Sequence, residues 1–187
     1  INPDYTEAYL NMGNALMDKG MLDEAIDNYK EAIRTNSNLA ITYYFIANAL
    51  KIKGDLKNAI TNYKKAILLY PDYTEAYLNL GNILMDKGML DEAIDNYKEA
   101  IKINPNYADA YNNMGNAFQV NGDLDKAIDN YKEAININPN YAEAYNNLGS
   151  ALRGKLELND SINSFKRAIQ LKPSYVDAYS NMGEALQ

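Results

Sequence analysis

The chain reads as an all-α array of antiparallel helix pairs, and three observations predict it. A tyrosine recurs every 34 residues, at Tyr9, Tyr43, Tyr77, Tyr111, Tyr145 and Tyr179. Between these tyrosines, apolar residues fall at the spacing of one helical face, in two runs per repeat. Glycine punctuates the middle of most repeats and proline the end of most. A unit this short cannot bury its own apolar side, so each copy must pack on its neighbours. The expectation is one continuous array over 1–187, with no internal linker.

Five full units follow one another at 6–39, 40–73, 74–107, 108–141 and 142–175, with a terminal helix at 176–187. The unit 6–39 carries Gly20 at its central turn but Ser37 where later units have proline, so its second helix is expected to run on slightly. The unit 40–73 brings two bulky aromatics, Tyr44 and Phe45, onto its first helix. In the unit 74–107 the pattern is clearest. Tyr77, Leu80, Gly81 and Leu84 form one face of the first helix, and Leu90, Ala93, Ile94, Tyr97, Ala100 and Ile101 one face of the second. Gly88 ends the first helix and Pro105 the second, while Asp72, Asn106 and Asn140 are expected to cap the first helices that follow them. The unit 108–141 repeats this plan. In the unit 142–175, Leu156 stands where Gly20, Gly54, Gly88 and Gly122 stand elsewhere, which predicts a distorted turn. The terminal segment supplies a sixth first helix that covers the end of the fifth unit. The stretches Pro3–Ile33 and Pro71–Ile101 are nearly identical, as a duplicated two-repeat block would be.

Composition narrows the function. With no cysteine and no histidine, thiolate nucleophiles, disulfides, Cys/His zinc sites and imidazole bases are all excluded. No metal or cofactor is implied. The carboxylates recur with the repeat at solvated helix positions and single out no acid/base pair, so the chain is not expected to be an enzyme. A net charge of -7, with lysines interleaved among acids, argues against nucleic acid. No apolar run approaches the ~20 residues of a membrane-spanning helix. The absence of cysteine fits a reducing compartment, and a cytoplasmic location is the expectation. Opening on Ile1 inside the repeat phase, the sequence reads as a piece of a longer protein.

Counted from the first residue of each unit, position 8 is Gly13, Ala47, Gly81, Gly115, Gly149 and Gly183, and position 20 is Ala25, Ala59, Ala93, Ala127 and Ser161. Position 24 is Tyr29, Tyr63, Tyr97, Tyr131 and Phe165, and position 27 is Ala32, Ala66, Ala100, Ala134 and Ala168. Together with the position-4 tyrosines and the prolines, this resembles the tetratricopeptide repeat over essentially the whole chain. The resemblance implies an α-solenoid, a right-handed superhelix of five units plus a sixth first helix. It also implies that the first helices line a concave groove.

On those helices the sequence places a ladder of amides: Asn11, Asn79, Asn113, Asn147 and Asn181 at position 6, and Asn14, Asn48, Asn82 and Asn116 at position 9. An asparagine offers an acceptor and two donors and can pair with a peptide group whatever the ligand's side chains. A similar ladder marks the tetratricopeptide domain of O-GlcNAc transferases, and Asp177–Gly183 is similar to those repeats. Tyr44 and Phe45 are candidate apolar anchors. The position-2 acids Glu7, Glu75, Asp109, Glu143 and Asp177 make one edge acidic, favouring neutral or basic partners; they also suit the helix N-termini. The family's clamps for acidic chaperone tails need lysine and arginine where this chain has Leu10, Glu75, Asp109, Asn79 and Asn113, which excludes that activity. RNA binding by a related 35-residue helical-pair family fails on period and charge. The expected function is a scaffold that binds an extended peptide or partner segment. The alternative is the substrate-presenting arm of a larger transferase. Self-association through the array ends is a further expected mode.

Overall fold

The computed structural model describes residues 3–186. Among these there are eleven helices and no strand: α1 (Pro3–Asp18), α2 (Leu22–Thr35), α3 (Ala40–Ile52), α4 (Leu56–Leu69), α5 (Thr74–Asp86), α6 (Leu90–Ile103), α7 (Ala108–Val120), α8 (Leu124–Ile137), α9 (Ala142–Gly154), α10 (Leu158–Leu171) and α11 (Val176–Ala185). Ile1, Asn2 and Gln187, which the sequence reading includes in the array, lie outside the described residues. The chain groups into two compact units, Ile1–Ile83 and Leu84–Gln187, with the boundary inside α5.

Within each repeat the two helices are joined by three residues, a link short enough to make them antiparallel neighbours. Local chemistry sets that link. Gly88 adopts φ 73°, its N–H donates to the Met85 carbonyl at 2.9 Å, and the Met89 N–H reaches back to the Leu84 carbonyl at 2.9 Å, which closes the helix end. The distorted turn expected at Leu156 is not found. Leu156 takes φ 64° and makes the same two bonds, from its own N–H to Arg153 and from the Glu157 N–H to Leu152, each 2.9 Å. The packing of α9 on α10 imposes the left-handed conformation on a residue that resists it.

The second helices end uniformly. α2 stops at Thr35 and is 14 residues long, as are α4, α6, α8 and α10, so Ser37 does not let it run on. At α2, α6 and α8 an asparagine one residue past the helix makes the turn that follows, while Tyr70 and Lys172 hold that place after α4 and α10. The side chains of Asn36, Asn104 and Asn138 accept from the backbone N–H groups of Asn38, Asn106 and Asn140, each at 3.1 Å. Asn106 and Asn140 are therefore not side-chain caps. α7 and α9 start from Tyr107 and Tyr141 without a side-chain cap. Side-chain capping occurs instead on second helices, where Asp55 and Asp123 accept from the backbone of Asn58 and Lys126. Hydrogen bonds from the Asn58 and Lys126 side chains, and then from those backbone groups, hold both carboxyls below the ordinary value.

In the first unit α1 packs on α2, α3 on α4, and α2 on α3. Its core joins Ala25, Tyr29 and Ile46, with Leu10, Leu16, Met17, Ile33, Phe45 and Leu50 around them. In the second unit α7 pairs with α8 and α9 with α10, while α9 also meets α8 and α11. Ala127, Ile128, Tyr131, Leu148, Ala151 and Leu152 form the core there. In both units the ring at position 24 is the one fully enclosed: Tyr29, Tyr63, Tyr97, Tyr131 and Phe165 are all 0% exposed, whereas the periodic Tyr179 is 49% exposed. In α1, α7 and α9 glycine at position 8 makes room for that ring. A Cβ built on Gly115 would lie 2.6 Å from Tyr131, and one on Gly149 2.7 Å from Phe165. Ser161 at position 20 is also fully buried and satisfies its hydroxyl by donating to the Gly149 carbonyl at 2.8 Å.

Candidate functional site

The first helices carry the asparagines that the sequence singles out, and the structure divides them by what their amides already bind. At position 9 the oxygen is engaged. Asn14 Oδ1 accepts from the Tyr29 hydroxyl at 2.8 Å, Asn48 Oδ1 from the Tyr63 hydroxyl, and Asn116 Oδ1 from the Tyr131 hydroxyl at 2.8 Å. Each of these phenols belongs to a fully enclosed ring whose polar tip needs a partner. Burial raises all three phenol pKa values; that of Tyr29 is pushed up to about 12, with the charge of Asp18 adding to the effect.

A signal for this pairing exists within the chain. Position 9 is asparagine in the four units that have tyrosine at position 24, and it becomes Ser150 in the one unit that has Phe165. With no phenol to receive, the Ser150 hydroxyl donates to the Asn146 carbonyl one helical turn back, at 3.1 Å.

At position 6 it is the nitrogen that is engaged, reaching to position 5 of the preceding repeat. Asn79 Nδ2 donates to the Tyr44 hydroxyl at 3.1 Å, Asn147 Nδ2 to Asn112 Oδ1 at 3.1 Å, and Asn181 Nδ2 to Asn146 Oδ1 at 3.0 Å. Asn112 and Asn146 are buried, which the sequence reading did not anticipate, and their oxygens stitch one repeat to the next. Asn147 spends a second N–H on Asn116 Oδ1 at 3.1 Å. Asn113 Oδ1 accepts from Asn112 at 3.3 Å, and Asn82 is half-buried. Asn11 is exposed.

What these bonds leave over is asymmetric. Among the described residues, Asn14, Asn48 and Asn116 keep their amide N–H groups without a protein partner, and Asn147 and Asn181 keep their amide oxygens. Donors and acceptors thus both remain on the surface of the first helices. In the second unit two of these residues, Asn116 and Asn147, line an open cavity of about 420 Å³ together with Met85, Gln119, Val120 and Ser150.

In the first unit the face is aromatic. The Tyr44 ring lies 4.8 Å from Tyr73, 5.8 Å from Tyr63 and 5.9 Å from Phe45, and Phe45 stacks on Tyr29 at 5.5 Å. Tyr44 and Phe45 are therefore half-buried members of a packed cluster. Lys51 Nζ donates to Asn79 Oδ1 at 3.0 Å, so both ends of that amide are engaged. Part of the acidic edge is also occupied: Asp109 accepts from the Tyr141 hydroxyl at 2.7 Å, and Glu143 pairs with Lys172 at 3.1 Å.

Among the described residues, no helix is long and apolar enough to cross a membrane. The pattern described as Tetratricopeptide repeat matches residues 6–39, and that described as TPR repeat matches 47–88, 81–122, 120–155 and 153–187. No curated protein sequence matches the chain. Among solved structures, that of MamA protein is 31% identical, covers 92% of this chain and 96% of its own, and superposes with a TM-score of 0.81. YrrB, described as a TPR protein with an unusual peptide-binding site, is 24% identical over 92% of this chain and 89% of its own, with a TM-score of 0.76. TTC0263 of Thermus thermophilus, a thermophilic TPR protein, is 22% identical over 97% of this chain and 98% of its own, with a TM-score of 0.72.

Proposed function

The chain belongs to the tetratricopeptide-repeat family, and from that premise we propose that it is a non-enzymatic interaction module holding an extended peptide segment along its first helices. One observation carries the reading. The structural bonds of five asparagines consume one half of the amide and leave the other half available: donors on Asn14 and Asn48 in the first unit, and a donor on Asn116 with acceptors on Asn147 and Asn181 in the second. A peptide backbone presents the same two groups alternately, so an extended segment can pair with such a surface whatever its side chains. A pairing that needs no particular side chain suits a scaffold. The carboxylates of Glu75 and Asp177 in the first turns of α5 and α11, and of Glu7 further along α1, favour segments that are neutral to basic. The description of YrrB as peptide-binding is consistent with this use of the fold.

The test compares binding of neutral extended peptides to the parent chain and to Asn147→Ala and Asn181→Ala, with helicity and melting temperature followed in parallel. Each alanine is expected to weaken binding by about 1 kcal/mol, the net worth of a hydrogen bond. Unchanged affinity with an intact fold rejects the asparagine face. A second reading, in which the array presents substrate to a transferase domain joined to it, would use the same amide groups. It would show as a catalytic domain on the same polypeptide.

A further inference from the structure

Resting on the peptide-binding reading, we propose that the cavity lined by Met85, Asn116, Gln119, Val120, Asn147 and Ser150 is a selective seat for an uncharged primary carboxamide, the side chain of a glutamine in the bound segment. Every lining residue is uncharged, and the volume is about 420 Å³. A charged side chain entering it would lose water without gaining a counter-charge.

The hydrogen-bond inventory sharpens this. The Asn116 oxygen accepts from both Tyr131 and Asn147, at 2.8 and 3.1 Å, which turns its NH2 group away from the core. Rotating the amide would place its nitrogen against the Asn147 nitrogen, so the orientation is held by the network. Both N–H groups of Asn147 are spent, on Asn112 and Asn116, which leaves its oxygen as acceptor. The one proton of the Tyr131 hydroxyl is shared between the oxygens of Asn116 and Gln119, each at 2.8 Å, so Gln119 also turns its oxygen to the phenol and retains its NH2. Ser150 donates its proton to Asn146 and retains acceptor lone pairs.

The seat therefore offers donors from Asn116 and Gln119 and acceptors on Asn147 and Ser150. A primary carboxamide is the complement: one oxygen with two lone pairs and one nitrogen with two protons. A carboxylate, which only accepts, would face the oxygens of Asn147 and Ser150, and an ammonium, which only donates, would face the NH2 groups of Asn116 and Gln119. Met85 and Val120 supply apolar contact for the methylene stem, which favours glutamine over asparagine.

The test uses the whole chain and fluorescein-labelled peptides on one neutral, serine- and threonine-rich background, differing only in a central Gln, Glu, Lys, Leu or Ala, read by anisotropy. The Gln peptide is expected to bind roughly tenfold more tightly than the Glu or Lys peptides, a difference of about 1.4 kcal/mol. Asn116→Asp keeps the oxygen that receives Tyr131 and Asn147 but replaces the NH2 group by an acceptor. It is expected to retain the parent's melting temperature and to shift preference from Gln to Lys. If all five peptides bind equally, or if the order is unchanged in Asn116→Asp, the carboxamide seat is overturned while peptide binding stands. If none of the five binds, both readings fall.

Discussion

The pairing of Tyr29 with Asn14 can be taken apart by a double-mutant cycle. Tyr29 is fully enclosed, its hydroxyl donates to Asn14 Oδ1 at 2.8 Å, and Asn14 itself is half-buried. Tyr29→Phe removes the donor but leaves Asn14 within reach of water, so the loss is about 0.5–1.5 kcal/mol. Asn14→Ser strands the hydroxyl of an enclosed ring and costs more, about 1–3 kcal/mol. The double variant recreates the combination that the unit 142–175 uses, Ser150 with Phe165. It is expected to cost less than the sum of the single variants, with a coupling of about 1 kcal/mol. Urea unfolding followed by far-ultraviolet circular dichroism measures all four proteins, and exchange protection of the α2 amides localises the effect. Strict additivity, within about 0.3 kcal/mol, would refute the claim that hydroxyl and amide act as a pair. Alkaline pH gives an independent check. The ordinary phenol value is 10.0, and burial first, then Asp18, raises that of Tyr29 to about 12. Between these values the unfolded chain sheds the proton while the folded chain keeps it. The contribution is thus complete below pH 10 and declines as pH rises towards 12, by about 1.4 kcal/mol per pH unit. Tyr29→Phe should flatten the alkaline loss of stability by that share.

Two further substitutions test the turn and the core. Leu156 is 81% exposed and held at φ 64°, so Leu156→Gly relieves roughly 1–2 kcal/mol of backbone strain and returns about 0.5–1 kcal/mol to the unfolded chain's entropy. A modest rise in melting temperature is expected, and a fall would mean that the leucine makes a contact worth more than the strain. Thr42 is fully buried and its Oγ1 has no hydrogen-bond partner, while the same place in the unit is Ala8, Ala76, Ala110, Ala144 and Ala178. Thr42→Ala should stabilise by about 1 kcal/mol in the same unfolding assay, and a loss of stability would argue that the hydroxyl is satisfied in solution.

How much was legible depends on how local the cause is. The helix pairs could be read because their signals act over a few residues: the apolar spacing, the left-handed glycines and the small residues beside large ones are written in adjacent text. Where the reading went astray, a neighbouring side chain or the packing of the helices took over. Ser37 was expected to lengthen α2, but the helix keeps the length of the other second helices, and the Asn36 side chain makes the same turn as Asn104 and Asn138. Leu156 was expected to distort its turn, but helix packing held the same backbone shape. The candidate site was only half legible. The asparagines were found by their recurrence, yet the partners of their amides lie 15 and 35 residues away, beyond any local pattern.

The sequence by itself determined that this chain is an array of tetratricopeptide helix pairs with asparagines on its first helices, because a repeated pattern of apolar, small and turn-forming residues leaves each unit one way to bury its apolar face. The tertiary structure alone decided which end of the Asn116 and Asn147 amides is spent on the fold. An asparagine has the same composition in either orientation, and only the Tyr131 hydroxyl on α8 and the buried Asn112 on α7 select between them.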